Sequence, residues 1–162
     1  MDKKELEVIK QAILNEVEGY EFYNMAAQSA KGESKVAFKE LANEELKHVE
    51  YLQKLVEQIK DSESDSFKLA LDLEVPSPDI FNWEKVERDQ TALAMSVFNI
   101  GIQMERDSIT FYEEAKANTK YDAARELYDI LIKWEKVHLD QFIEQYNIQK
   151  NSWWADQNFA PF

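Results

Sequence analysis

The tetrapeptide Glu45-Leu46-Lys47-His48 recurs as Glu135-Lys136-Val137-His138, and these two histidines are the only ones in the chain. Each follows a glutamate by three positions. Residues three apart on a helix share a face, so each carboxylate and imidazole can reach one point together. A carboxylate and an imidazole converging in this way make half of a transition-metal site. Two copies predict two metals, provided the surrounding elements turn both pairs toward one interior.

Hydrophobic periodicity predicts four long helices as those elements. The first carries Ile9, Ile13, Glu16, Tyr20, Tyr23, Ala27 and Ala30 on one stripe, with Asp2 and Glu5 at capping-box spacing before it. Gly32-Glu33-Ser34 reads as a tight turn with Ser34 as N-cap. The second helix then carries Phe38, Leu41, Glu45, His48, Leu52, Leu55 and Ile59, while Glu44, Lys47 and Glu50 are expected to point outward. The third runs from about Gln90 to Ala117 with Ala94, Phe98, Gly101, Glu105, Ser108, Tyr112 and Ala115 on its seam. After Asn118-Thr119-Lys120 the fourth carries Ala124, Leu127, Leu131, Glu135, His138, Phe142 and Gln145. Every seam thus holds a glutamate near its middle.

The two halves repeat. Glu16 and Tyr23 correspond to Glu105 and Tyr112, 89 residues on, and Glu45 corresponds to Glu135, 90 residues on. The fold class is therefore all-α: a four-helix bundle of two repeated antiparallel hairpins. A long crossover over about 61–89 joins them, opened by the polar run Asp61 to Ser66 and broken by Pro76-Ser77-Pro78, with a short helix expected around Asp79 to Glu87. The bundle occupies 1–148. Residues 149–162 form an aromatic C-terminal tail, poor in helix signals and expected to pack on the bundle or on a second subunit.

Composition removes several function classes. With no cysteine in 162 residues, disulfides, zinc ribbons, thiolate nucleophiles and iron–sulfur clusters are excluded. A formal charge of −13 makes nucleic acid and anionic membranes poor partners, while it favours solubility and draws cations. No stretch is long and apolar enough for a membrane span and the N-terminus has no signal core, so the cytoplasm is the expected location. Met95 and Met104 read as core fillers rather than haem ligands. Trp134, beside Glu135, suits packing or electron transfer equally.

Glu16, Glu45, His48, Glu105, Glu135 and His138 are thus expected to meet in the bundle interior. Four carboxylates in an apolar core cost several kcal/mol per ion without counter-charge, which protons or two divalent cations would offset. Oxygen-rich donors with one imidazole per metal suit iron or manganese.

This pattern resembles the rubrerythrin branch of the ferritin-like di-iron carboxylate proteins. The resemblance covers roughly residues 5–148 and implies a ferritin-like bundle holding two iron ions, with manganese or zinc as substitutes. It implies that Glu45 and Glu135 bridge the metals, that Glu16 with His48 completes one and Glu105 with His138 the other, and that Tyr23 and Tyr112 bond the bridging carboxylates from the second layer. Full-length rubrerythrins add a cysteine-built rubredoxin-like iron site, which these residues lack, so the electron donor is expected to be external, such as a separate rubredoxin. They also carry an extra glutamate where this chain has Ser108, and the corresponding first-half residue is Gly19. The site should therefore be nearly symmetric, with space beside each metal for dioxygen or peroxide. The implied activity is an oxidoreductase reacting ferrous iron with dioxygen or hydrogen peroxide, in detoxification or as a ferroxidase, with a homodimer as the expected assembly. A non-catalytic iron-binding or storage protein and a metal-free helical interaction module are the alternatives.

Overall fold

The computed structural model describes residues 3–61 and 90–156. Over these residues the chain forms four helices: α1 (Lys3–Ser29), α2 (Gly32–Asp61), α3 (Thr91–Asn118) and α4 (Asp122–Asp156). α1 packs chiefly on α2 and α3 on α4, and the two hairpins join through α2 against α4 and α1 against α3. The expected crossover and its short helix lie outside the described residues, apart from Asp61 at the end of α2.

The predicted seams bury. On α4 every residue from Ala124 to Gln145 of the seam is buried, and on α2 so are Phe38, Leu41, Glu45, His48, Leu52 and Leu55. The α1 stripe is displaced sideways. Ile13 and Tyr20 are only part-buried, and the small residues Ala12, Gly19 and Ala26 take the interior instead. Small side chains allow close helix approach, and the 3.6-residue turn rotates a strict four-three stripe slowly off the contact line.

The hairpin turns are short. Gly32 enters α2 with φ 54°, a left-handed conformation that glycine adopts without a Cβ clash. Ser34 lies inside α2 and is buried, which corrects its assignment as the N-cap. The Lys31 N–H donates to Gln90 Oε1 at 3.2 Å, tying this turn to the start of α3. At the opposite end Glu5 is buried, accepting from Thr119 Oγ1 at 2.8 Å and from the Tyr128 hydroxyl at 2.8 Å. Its carboxylate thus pins α1 to the α3–α4 hairpin; the expected capping box with Asp2 lies outside the described residues.

α4 continues through Trp153 and Trp154 to Asp156, so residues 149–156, poor in helix signals, are nonetheless helical. Trp153 and Trp154 stack edge to face and remain 38% and 40% exposed. The apolar core divides in two. One part gathers Ile9, Leu52, Leu55, Leu127, Tyr128 and Leu131; the other gathers Ala27, Phe38, Leu41, Phe98 and Phe142. Between them lies a layer of glutamate and histidine.

Candidate metal centre

Glu16, Glu45, His48, Glu105, Glu135 and His138 are each at most 4% exposed, one glutamate from each helix and one histidine from each of α2 and α4. His48 Nδ1 lies 3.0 Å from Glu16 Oε2, 3.3 Å from Glu45 Oε2 and 3.3 Å from Glu135 Oε1. His138 Nδ1 lies 3.3 Å from Glu135 Oε2 and 3.9 Å from Glu105 Oε2. The two oxygens of Glu135 therefore face different histidines. Donor atoms of Glu16, Glu45, His48 and Glu135 fall within 4.8 Å of one another, as do those of Glu45, Glu105 and His138. Glu45 belongs to both groups.

The two hairpins exchange hydrogen bonds at this layer. Tyr23 on α1 donates to Glu105 Oε1 on α3 at 2.8 Å, and Tyr112 on α3 donates to Glu16 Oε1 on α1. Both tyrosines thus hold Glu105 and Glu16 across the bundle, not Glu45 and Glu135 as the resemblance implied. A helix stripe fixes which residues face inward; which carboxylate of the opposite hairpin meets a given hydroxyl depends on how the hairpins are set against each other.

Electrostatics in this layer are those of a crowded, buried acid cluster. Burial first, and then the neighbouring Glu135, push Glu105 up to about 8. Burial also drives Glu45 well above the ordinary carboxylate value; hydrogen bonding to His48 opposes this, and repulsion from Glu135 and Glu16 adds to it. Burial works against charged imidazoles, yet Glu135 and Glu16 hold His48 well above its usual value, and Glu105, Glu135 and Glu44 do the same for His138. Burial would raise Glu135, but the His48 charge and the close approach of His138 outweigh it, holding Glu135 well below the usual range. Both tyrosine hydroxyls are pushed up, by burial and then by Glu105 for Tyr23 and Glu16 for Tyr112.

The donor set fits a pair of cations. Among the described residues, both oxygens of Glu135 and Nδ1 of His138 are buried with no hydrogen bond of acceptable geometry, although all three face the cluster. Buried polar atoms are rarely left so unless another partner binds them. A cavity of about 40 Å³ opens against the layer, lined by Gly19, Ser108, Met104 and the carboxylates of Glu16, Glu45 and Glu105. This volume takes a small polar molecule, since a single water needs roughly 10–15 Å³. Glycine at position 19 keeps it open; a Cβ there would come within 3.3 Å of the Glu45 side chain.

Sequence reasoning missed the role of Glu44 and left that of Trp134 open between packing and electron transfer. Glu44 does not point outward. Its Oε2 lies 3.4 Å from His138 Nε2 and its Oε1 accepts from Lys47 at 3.4 Å. Burial opposes its charge, but His138 and then Lys47 prevail and lower its pKa. Trp134 stacks on His48, with ring centroids 4.8 Å apart, and lies 5.4 Å from Tyr51. The signal for Glu44 was its spacing of four from His48 and three from Leu41, which places it at the border of the seam.

Among the described residues no helix is long and apolar enough to cross a membrane. No curated protein and no solved structure matches the chain. The family profile described as Rubrerythrin matches residues 7–146, which span all four glutamates, both histidines and both tyrosines of the layer. The chain belongs to the rubrerythrin family.

Proposed function

We propose that the protein is a di-iron carboxylate oxidoreductase, with dioxygen or hydrogen peroxide as oxidant. The observation that carries this reading is the convergence of four buried carboxylates and two imidazoles around Glu135, whose two oxygens face opposite histidines. Glu45 and Glu135 would bridge the metals, Glu16 and His48 would complete one position, and Glu105 and His138 the other. Bound iron would supply the electron transfer to the oxidant.

The chain's own residues set the conditions for that chemistry. Leu52 and Leu131 on one side and Phe142 on the other keep bulk water from the layer, which strengthens every electrostatic interaction inside it. Tyr23 and Tyr112 hold Glu105 and Glu16 in orientation. Gly19 and Ser108 leave the cavity in which a two-oxygen substrate fits beside Glu16 and Glu105. Electrons come from outside these 162 residues, from a donor such as a separate rubredoxin. The physiological role is then removal of peroxide or oxygen, or oxidation of ferrous iron, by a cytoplasmic homodimer.

Anaerobic loading with ferrous iron, followed by separate additions of dioxygen and peroxide, tests the reading. Two irons per chain and a rise in near-ultraviolet ferric absorption with at least one oxidant are expected. Failure to retain iron, or retention with no response to either oxidant, would sink it. Solution mass measured in parallel tests the homodimer.

A further inference from the structure

Residues 44 and 134 occupy equivalent places in the two hairpins, each directly before the glutamate of the Glu-x-x-His pair. They also make reciprocal contacts. Glu44 of the first hairpin reaches His138 of the second, at 3.4 Å from Nε2, and Trp134 of the second hairpin covers His48 of the first. The chemistry at the two places is opposite. A charged carboxylate only accepts hydrogen bonds, so Nε2 of His138 must donate to Glu44, leaving the Nδ1 lone pair facing Glu135 and Glu105. Nε2 of His48 is buried and has no hydrogen-bond partner among the described residues, and the ring that carries it is stacked on Trp134.

We propose that Glu44 is a positioning residue that makes the two metal positions unequal, the His138 side binding more tightly than the His48 side. A carboxylate behind an imidazole fixes the ring, fixes which nitrogen carries the hydrogen, and raises the donor strength of the nitrogen that faces the metal. Trp134 holds the His48 ring in place by stacking but supplies no acceptor, because an indole N–H only donates. The near symmetry expected from Gly19 and Ser108 thus ends one layer behind the histidines.

This inference rests on the metal reading above, and the test separates the two. Co(II) is titrated by calorimetry into wild type and E44Q, and into H48A and H138A with and without E44Q. H48A keeps the His138 side and H138A keeps the His48 side. Wild type should bind Co(II) in a tight and a weak step, and E44Q should bring the two steps together. In H48A, E44Q should weaken binding about 10- to 100-fold, and in H138A it should change nothing. A merely structural role for Glu44 would move the melting temperature and leave this split in place. Equal steps in wild type, or equal effects of E44Q in both backgrounds, would overturn the inference while leaving the metal site standing. No Co(II) binding by wild type would overturn the metal reading and this inference together.

Discussion

Replacing Glu105 with glutamine tests the electrostatics of the layer most directly. Its carboxyl is pushed from an ordinary value of 4.5 to about 8. That difference corresponds to roughly 5 kcal/mol, at about 1.36 kcal/mol per pKa unit. The sign follows from proton binding. Between these two values the folded protein holds the Glu105 proton more tightly than the unfolded chain does. The contribution to stability is therefore complete below about pH 4.5 and is lost as pH rises through 8. Glu45, His48 and His138 are also raised and slope the same way, whereas Glu135 is lowered and slopes the other way. Comparing wild type with Glu105→Gln isolates the one group, since an amide cannot ionise but still accepts the Tyr23 hydrogen bond. After chelator treatment the two proteins should melt alike near pH 5. By about pH 9 the variant should melt higher, by roughly 10–20 °C on the scale of about 2–4 °C per kcal/mol for a chain of this size. Loading with iron should reverse the order, because a cation then balances the carboxylate that the variant lacks. Parallel pH profiles for the two chelator-treated proteins, or a variant that melts lower at pH 9, would refute the reasoning.

Four further outcomes are expected. Glu45→Ala or Glu135→Ala should lower bound metal at both positions, whereas Glu16→Ala should mainly lower one; elemental analysis showing equal loss from all three would contradict the bridging roles. Metal should leave progressively as pH falls, since protons compete for His48, His138 and the glutamates, and full occupancy after dialysis at about pH 3 would count against this ligand set. Gly101→Ala should destabilise by about 1–3 kcal/mol in urea, because its Cβ would come within 2.9 Å of the buried Phe142 ring and 3.2 Å of the Tyr23 hydroxyl. Helix propensity alone predicts a gain of about 1 kcal/mol, so the sign decides. Glu5→Ala should cost about 1–3 kcal/mol by stranding the Tyr128 and Thr119 hydroxyls, with Co(II) stoichiometry unchanged; a change in stoichiometry would show that Glu5 acts on the metal layer.

Much of this layer was legible in the sequence because burial on a long helix follows its period. Glu16, Glu45, Glu105 and Glu135 stood out as single acids on apolar seams, and all four are buried together. Contacts between hairpins were not legible in the same way. Tyr23 meets Glu105 and Tyr112 meets Glu16 because of how α1 lies against α3, which no single helix encodes. Glu44 was misassigned because a helix seam is wider than a line of single residues, and its border positions are decided by the neighbour. The bonds that Glu5 accepts from Thr119 and Tyr128 were not legible either, because local spacing says nothing of residues more than a hundred positions away. The C-terminal part of α4 carries weak helix signals, yet Gln149 is buried on it and the helix holds through Asp156.

The exchange of tyrosine bonds between hairpins has the form of a twofold interface, in which each side gives the contact it receives. Two separate, identical hairpins could assemble such a layer, but the axis relating them would oblige every position to carry the same residue in both copies. Joining the hairpins in one chain removes that obligation. Glu44 and Trp134 are what the chain does with the freedom: one position, two residues, and two neighbouring histidines that no longer have to be alike.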